Sequence, residues 1–322
     1  MTVVSVVVPL FNKRQWIQRA LDSIASQTFT AIEVIVVDDG STDGGDDVAA
    51  LYPDGRFRLI RQENAGPGAA RNRGLEECTS EFIAFLDADD EWLPDYLEAS
   101  VREMQRLGPD VAAISCSFLN GADDVSSANM WIRRGISNGL FRIQADTDPV
   151  LLAHRLAFMH PCCTVARLKV VRRWRGFYGE DKCRYAEDSF LWLKILLNET
   201  VAHDLFARVR IHHGAGNLSQ NLNGARPVEP FLERHELIEQ VCPENLLPLL
   251  KRLFSFRAFK TACMLGYWGH WQQASALRRR FRTLGDTGLP YFWRSYLFST
   301  PLGPAIAATW RALASRPDPP QR

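Results

Sequence analysis

Residues 82–92 read Phe-Ile-Ala-Phe-Leu-Asp-Ala-Asp-Asp-Glu-Trp. Five apolar residues run directly into Asp87, Asp89 and Asp90. A carboxylate is costly to leave in an apolar interior, so the environment must change at Leu86. The short apolar run predicts a buried strand. Its acidic end then opens into a cleft at the strand's C-terminal edge, where open α/β sheets hold their ligands. Asp87 and Asp89 are two apart and face the same way in extended backbone. Two convergent carboxylates suit a hard divalent cation that keeps some waters and takes its remaining oxygens from phosphate. The plainer alternative is a polar turn that starts a helix.

Other stretches carry the same kind of chemistry. Asp38-Asp39-Gly40-Ser41 follows the apolar run 33–37, again placing carboxylates at a strand end, with a capped turn as the alternative. Asn64 to Leu75 is a glycine-rich loop entering a helix that carries Arg71 and Arg73. Small residues there let a ligand approach the backbone, and arginine can pair with phosphate oxygens. The alternative is a loop followed by a solvated basic helix face. Glu187-Asp188 stands just before the apolar helix 190–197, where negative charge is favoured whether it acts or only caps. His212-His213 ends a short strand over 208–213, and such a pair is either structural or a metal ligand.

These residues need a scaffold, and the hydrophobic pattern supplies one. Val3 to Pro9 is a β-branched run closed by proline, a central strand. No Gly-x-Gly-x-x-Gly follows it, which argues against a dinucleotide-binding domain. Trp16, Ile17, Ala20, Leu21 and Ile24 recur at helical spacing, so 14–26 is a helix. Strands at 33–37, 57–61, 82–86 and 111–116 alternate with helices, the last of these over 94–107. This alternation predicts an α/β fold with a mostly parallel sheet flanked by helices. Residues 120–130 read as a loop between two halves, 147–160 as a helix, and 176–184 as a loop. From 230 onward the pattern is helical.

The chain of 322 residues has a net charge of +1, so no global polyelectrolyte partner is implied, and no nucleic acid. That average hides an asymmetry. Residues 251–322 hold 12 basic and 2 acidic residues, against 26 and 35 in residues 1–250, so the parts carry +10 and −9. The seven cysteines have no framework spacing and read as reduced, mostly buried thiols. The N-terminus shows no signal-peptide pattern, and no apolar run is long enough to cross a bilayer. A cytoplasmic compartment is expected.

Taken together, the stretches resemble the family 2 inverting glycosyltransferases with the GT-A fold. The resemblance rests on Ser5 to Lys13, Ser26 to Phe29, Glu33 to Asp43, Asn64 to Leu75 and Phe82 to Trp92, then Glu187-Asp188 and Val209 to His212. It covers roughly residues 1–220. It implies a nucleotide-sugar-binding half over 1–110, an acceptor-binding half over 111–225, and a helical, basic and aromatic extension over 226–322. It implies sugar transfer from a nucleoside diphosphate sugar, with a UDP-sugar favoured, to a carbohydrate or lipid-linked acceptor in surface polysaccharide or lipid-linked glycan assembly. By resemblance Asp38 and Asp39 sit against the uridine-like part of the donor, with Asp39 favoured for the base, Pro9 and Phe11 close that pocket, and Arg71 contacts the diphosphate or base. Asp87 and Asp89 match the family's Asp-x-Asp and would hold Mn²⁺ or Mg²⁺, with His212 nearby and His213 as its rival. Asp188 matches the catalytic base. A nucleotidyltransferase building a nucleotide sugar, or a non-catalytic sugar-binding homologue, are the alternatives. Four retained carboxylates argue against the second. The aromatics and arginines of the last ninety residues suit either an anionic membrane surface, peripheral on the inner face of the cytoplasmic membrane, or a buried helical cap.

Overall fold

The computed structural model describes residues 3–121, 123–212, 224–282 and 286–314. His213, the rival histidine, lies outside them. The chain divides into two compact units. The first holds residues 1–144, 154–220 and 229–243, and the second holds 145–153, 221–228 and 244–322. Residues 1–110 and most of 111–225 thus belong to one unit.

In chain order the elements are β1 (Val4–Leu10), α1 (Arg14–Ala25), β2 (Ile32–Asp38), α2 (Gly45–Ala50), β3 (Phe57–Arg61), α3 (Pro67–Glu77) and β4 (Phe82–Phe85). There follow β5 (Glu91–Trp92), α4 (Tyr96–Leu107), β6 (Val111–Asn120), α5 (Ala128–Arg133), β7 (Gly139–Phe141), α6 (Pro149–Phe158) and β8 (Thr164–Arg167). Then come α7 (Leu168–Arg173), α8 (Glu187–Asn198), β9 (Thr200–Ile211), α9 (Pro230–Glu233) and α10 (His235–Glu239). The remainder is α11 (Leu247–Tyr267), α12 (Trp271–Phe281), α13 (Phe292–Phe298) and α14 (Gly303–Ala314).

Among the described residues nine strands make one sheet in the order β3-β2-β1-β4-β8-β6-β9-β5, with β7 also on β9. Strands β1 to β4 are mutually parallel. β8 runs against both β4 and β6, so β6 points the same way as β4, and β9 is parallel to β6. Val4, Val6, Val7 and Val8 are all fully buried. That is the signature of a strand covered on both faces. The chain winds outward from β1 through β2 to β3, then returns to place β4 on the other side of β1. The reversal makes the C-terminal edge of β1 and β4 a topological switch point, the favoured ligand position in such sheets.

Three readings of the sequence change. Residues 120–130 are not all loop, because α5 begins at Ala128. The strand expected over 208–213 starts eight residues earlier, at Thr200. Its partners β6, β7 and β5 supply hydrogen bonds along that length although Ala202, His203 and Asp204 interrupt the apolar pattern. A two-residue strand, β5, pins the acidic segment onto β9 through Glu91 and Trp92, opposite Arg210 and Val209.

The second unit is helical. Phe254 meets Phe281 and Phe259 meets Phe292 at centroid distances of 5.8 and 5.4 Å. Phe254, Phe256, Phe259, Phe281, Phe292 and Phe298 are all buried, so much of its aromatic content is core. Gly266 makes this packing close: a Cβ there would lie 2.0 Å from the Phe298 carbonyl oxygen. The opposite face of α13 is different. Trp293 is 71% exposed, and Leu297, Leu302 and Tyr291 are exposed too, as are Arg279, Arg280, Arg282 and Arg294 of the same unit. No helix among the described residues is long and apolar enough to cross a membrane.

Candidate functional site

The acidic segment after β4 sits at the switch point, and each of its carboxylates has a specific neighbour. Asp87 Oδ1 accepts from Arg71 Nη2 at 2.6 Å, and the Asp87 side chain is 34% exposed. Asp89 Oδ2 accepts from Lys13 Nζ at 2.7 Å, while its carbonyl accepts from Arg19 Nη2 at 2.6 Å. Asp90 turns inward and accepts from the His212 backbone N–H at 2.9 Å. Burial, together with the charges of Asp87 and Asp89, holds the Asp90 carboxyl well above the usual carboxylate range. Glu91 accepts from Arg210 and from His212 Nε2, at 2.9 and 2.8 Å. Burial works against its ionisation, but these two bonds outweigh it and lower its pKa.

Arg71 is the centre of the site. It is buried, and its two terminal nitrogens each engage a carboxylate: Asp87, and Glu187 Oε1 at 2.7 Å. Its guanidinium also lies 5.3 Å from the Phe177 ring centroid. Burial disfavours its charge, but Asp87 and Glu187 hold it firmly protonated. The sequence assigned Arg71 to diphosphate or base; the structure turns it to these carboxylates. One guanidinium so joins the end of β4 to the start of α8, across 116 residues of sequence. α8 opens with Glu187 and Asp188, preceded by Ala186 in the left-handed region at φ 56°. Burial raises the Glu187 carboxyl above its ordinary value, with Arg71 opposing. Asp188 is half-buried and is raised by desolvation, again against Arg71, with the charge of Asp87 adding to the rise. A carboxylate whose proton affinity is raised toward neutrality is suited to general-base work.

The second acidic pair lies at the end of β2, with β1 between it and β4. Asp38 is buried and accepts from the Ser41 backbone N–H at 3.1 Å. Asp39 is 2% exposed and satisfied on all sides. Its Oδ1 accepts from Gln62 Nε2 and Ala65 N, and its Oδ2 from Gly66 N and Asn64 Nδ2, all within 2.7–3.1 Å. Asp39 therefore organises the glycine-rich loop. Pro9, half-buried, is the penultimate residue of β1 and lies opposite Val37. Phe11 is half-buried, and the Arg184 guanidinium lies 5.8 Å from its ring centroid.

The glycines themselves serve a use the sequence reading did not give them. A Cβ at Gly68 would lie 2.0 Å from the Tyr178 carbonyl oxygen, and one at Gly66 would lie 3.0 Å from the backbone of Lys182. They admit the segment 178–183, not only a ligand. Asn72 fixes the same segment by exchanging two hydrogen bonds with the Phe177 backbone, both 2.8 Å.

The structure thus brings Arg71, Asp87, Glu187 and Asp188 together, sets Asp89 beside Lys13, and places His212 on Glu91. Sequence reasoning missed Lys13, Arg19, Gln62 and the pairing of Glu187 with Arg71. Lys13 follows Asn12, which is held at φ 51°, a conformation that suits asparagine but does not point to the lysine after it. For a divalent cation, the donor chemistry fits in part. Asp87 Oδ2 and Asp89 Oδ1 accept no hydrogen bond from the described residues. No group of three or more His, Cys, Asp or Glu side chains forms a metal cage among the described residues. Two hard oxygens suit a cation that shares phosphate and water, with the Asp87 side chain 34% exposed and Asp89 buried.

Comparison with known proteins points the same way. The family model described as "Glycosyl transferase family 2" matches residues 5–175. The chain is 41% identical over 123 residues to a putative glycosyltransferase, EpsH, of Bacillus subtilis, covering 38% of this chain and 35% of that protein. It is 42% identical over 187 residues to the succinoglycan biosynthesis protein ExoW of Rhizobium meliloti, covering 54% of this chain and 58% of that one. The match to EpsH thus spans about a third of that relative's length. Among solved structures, Staphylococcus aureus TarS 1–349 in complex with UDP-GlcNAc superposes with a TM-score of 0.62 at 19% identity, over 97% of this chain and 92% of that one. The Pyrobaculum calidifontis mannosyltransferase PcManGT, in complex with GDP-Man and Mn²⁺, gives 0.51 at 21% identity, over 98% and 88%. These likenesses fix the fold as GT-A.

Proposed function

The chain belongs to glycosyl transferase family 2, and on that premise we propose that it moves a sugar from a nucleoside diphosphate sugar to an acceptor hydroxyl, with inversion. One observation carries the reading. Arg71 ties Asp87, in the Asp-x-Asp segment, to the helix that opens with Asp188. A donor-side carboxylate and a base with raised proton affinity are thereby held at one switch point.

Each residue has a role in this reading. Asp39 holds residues 62–66 in place, and with Asp38, Pro9 and Phe11 it shapes the nucleoside pocket. Arg71 acts by fixing Asp87 and the start of α8. Asp87 and Asp89 would hold Mn²⁺ or Mg²⁺, with His212 nearby through its bond to Glu91. Such a cation, when bound, neutralises the charge that gathers on the leaving diphosphate. Asp188 takes the proton of the attacking hydroxyl, whose oxygen displaces the diphosphate from the opposite face of the sugar. Inversion needs only this one base and no covalent intermediate.

A UDP-sugar is the proposed donor, supported by neighbours whose structures hold UDP-GlcNAc or GDP-Man. The proposed acceptor is a growing surface polysaccharide or lipid-linked glycan, supported by the succinoglycan relative. Exposed Trp293, Leu297 and Leu302, with four exposed arginines of the same unit, support peripheral attachment to an anionic membrane face. Apolar anchors with basic neighbours suit that boundary, each cation adding about 1 kcal/mol.

The test is transfer of radiolabelled sugar from a panel of nucleotide sugars, with Mn²⁺ and with EDTA. Metal-dependent transfer that Asp89→Ala abolishes supports the reading. Release of pyrophosphate from a nucleoside triphosphate and a sugar phosphate would favour a nucleotidyltransferase. Liposome sedimentation tests the membrane part: binding should require anionic lipid, weaken with salt, and fall in Trp293→Ser.

A further inference from the structure

The two carboxylates of the Asp-x-Asp segment are each paired with a cation, and the two pairs differ in kind. Arg71 on Asp87 is locked: its side chain is 5% exposed, and both ends of its fork are used. Lys13 on Asp89 is less enclosed. Its side chain is 21% exposed, and it reaches Asp89 from the turn between β1 and α1. Its Nζ also lies 5.2 Å from the Trp16 ring centroid, so an aromatic face borders the ammonium where it sits. A lysine ammonium is a compact charge on a flexible stem with rotatable donors, unlike the rigid guanidinium fork.

We infer that Lys13 is a displaceable stand-in for the divalent cation, holding Asp89 by itself and passing to the donor diphosphate when the metal takes that carboxylate. This rests on the proposed metal-dependent reading. The chemistry requires an exchange. The Lys13 ammonium is 2.7 Å from Asp89 Oδ2. A small divalent ion binds carboxylate oxygen at about 2.0–2.1 Å. The two cations cannot share that oxygen without strong repulsion. The released ammonium needs an anion, and the phosphate oxygens entering with the metal supply one. Asp89 thus stays neutralised throughout, with no unpaired carboxylate at any stage.

The inference predicts effects of opposite sign, which a merely structural role would not give. Lys13→Met should bind Mn²⁺ alone about tenfold more tightly, the repulsion of +1 and +2 charges roughly 6 Å apart even at the dielectric of water. The same variant should bind UDP in saturating Mn²⁺ about tenfold more weakly, for loss of one ammonium–phosphate contact. Lys13→Arg should restore UDP affinity. Free Mn²⁺ is read by electron paramagnetic resonance and UDP by calorimetry, with Lys13→Gln as a second variant should Lys13→Met fold poorly. If the unmodified chain binds Mn²⁺ and UDP, but Lys13→Met and Lys13→Gln bind Mn²⁺ no more tightly, the stand-in role is overturned while the metal reading stands. If the unmodified chain binds no Mn²⁺ even with UDP, both readings fall.

Discussion

Replacing Asp39 by asparagine removes one charge and almost no volume, so its effect isolates what the carboxylate does. The side chain is buried and accepts four hydrogen bonds, two at each oxygen. An asparagine keeps one oxygen and puts an amino group where the other was. Whichever way the amide turns, that amino group faces two donors: Gln62 Nε2 with Ala65 N, or Gly66 N with Asn64 Nδ2. Of each pair the side-chain amide can flip to offer its oxygen but the backbone N–H cannot, so at least one bond to a charged acceptor is lost, at about 1.5–3 kcal/mol. Against a typical native stability of about 5–15 kcal/mol, that is a large loss. It should appear first where the bonds are. Hydrogen exchange of the Ala65 and Gly66 amides should accelerate, and urea unfolding followed by tryptophan fluorescence should move to lower denaturant. UDP affinity should fall with it, through the loosened loop. A loss under about 1 kcal/mol with unchanged amide protection would falsify the view that Asp39 organises the loop.

Three further expectations are independent of that one. Asp188→Asn should lower turnover by roughly 10²-fold or more, the scale of losing a general base, with UDP affinity little changed; collapse of UDP binding with turnover intact would move Asp188 to the donor side. His203 is buried beside Arg155 and Phe158, and burial with the Arg155 charge pushes its pKa down to about 3. The unfolded chain therefore takes up a proton at His203 below about pH 6.5 that the folded chain refuses, so stability should fall by about 2 kcal/mol between pH 6.5 and 5. Denaturant titrations of His203→Gln, whose amide oxygen can still accept from Arg155, should lack that part of the slope; an identical slope refutes it. Gly68→Ala should destabilise by about 1–3 kcal/mol as an overpacked contact, read as a fall in Tm, because its methyl meets the Tyr178 carbonyl.

What the sequence made legible follows from how local each signal is. The β-branched run 4–8 and the apolar run 33–37 carry their own periodicity, so β1 and β2 are read directly, and the acidic ends mark the switch point. The length of β9 is not local. Ala202, His203 and Asp204 look like loop residues, and only pairing with β6 and β7 makes them strand. β5 is two residues long and exists because β9 is there to receive it. α5 hides behind Ser126-Ser127, which read as turn residues. At the site, residue type and spacing point to Asp87 and Asp89, whereas only the family resemblance singles out Asp188 from its neighbour Glu187. Neither could show that Arg71 reaches across 116 residues to Glu187, because an arginine beside a glycine-rich loop suits phosphate equally well. Lys13 gave no signal at all: a lysine in a turn is ordinary until its partner is known.

The close seating of Gly66 and Gly68 against residues 178–183 bears on how this chain could be recombined with its relatives. Segment 176–186 is a natural piece to exchange among relatives, since it leads into the start of α8 at Glu187 and Asp188. Here it is keyed to α3 by two glycines and by Asn72, whose side chain pairs with the Phe177 backbone. A donor segment brought in alone would meet a surface cut for another backbone. The exchangeable cassette is therefore discontinuous: residues 64–72 must travel with 176–186, although about a hundred residues separate them. Chimeras that respect the pair should fold, and those that split it should express poorly, whatever sugar they are built to accept.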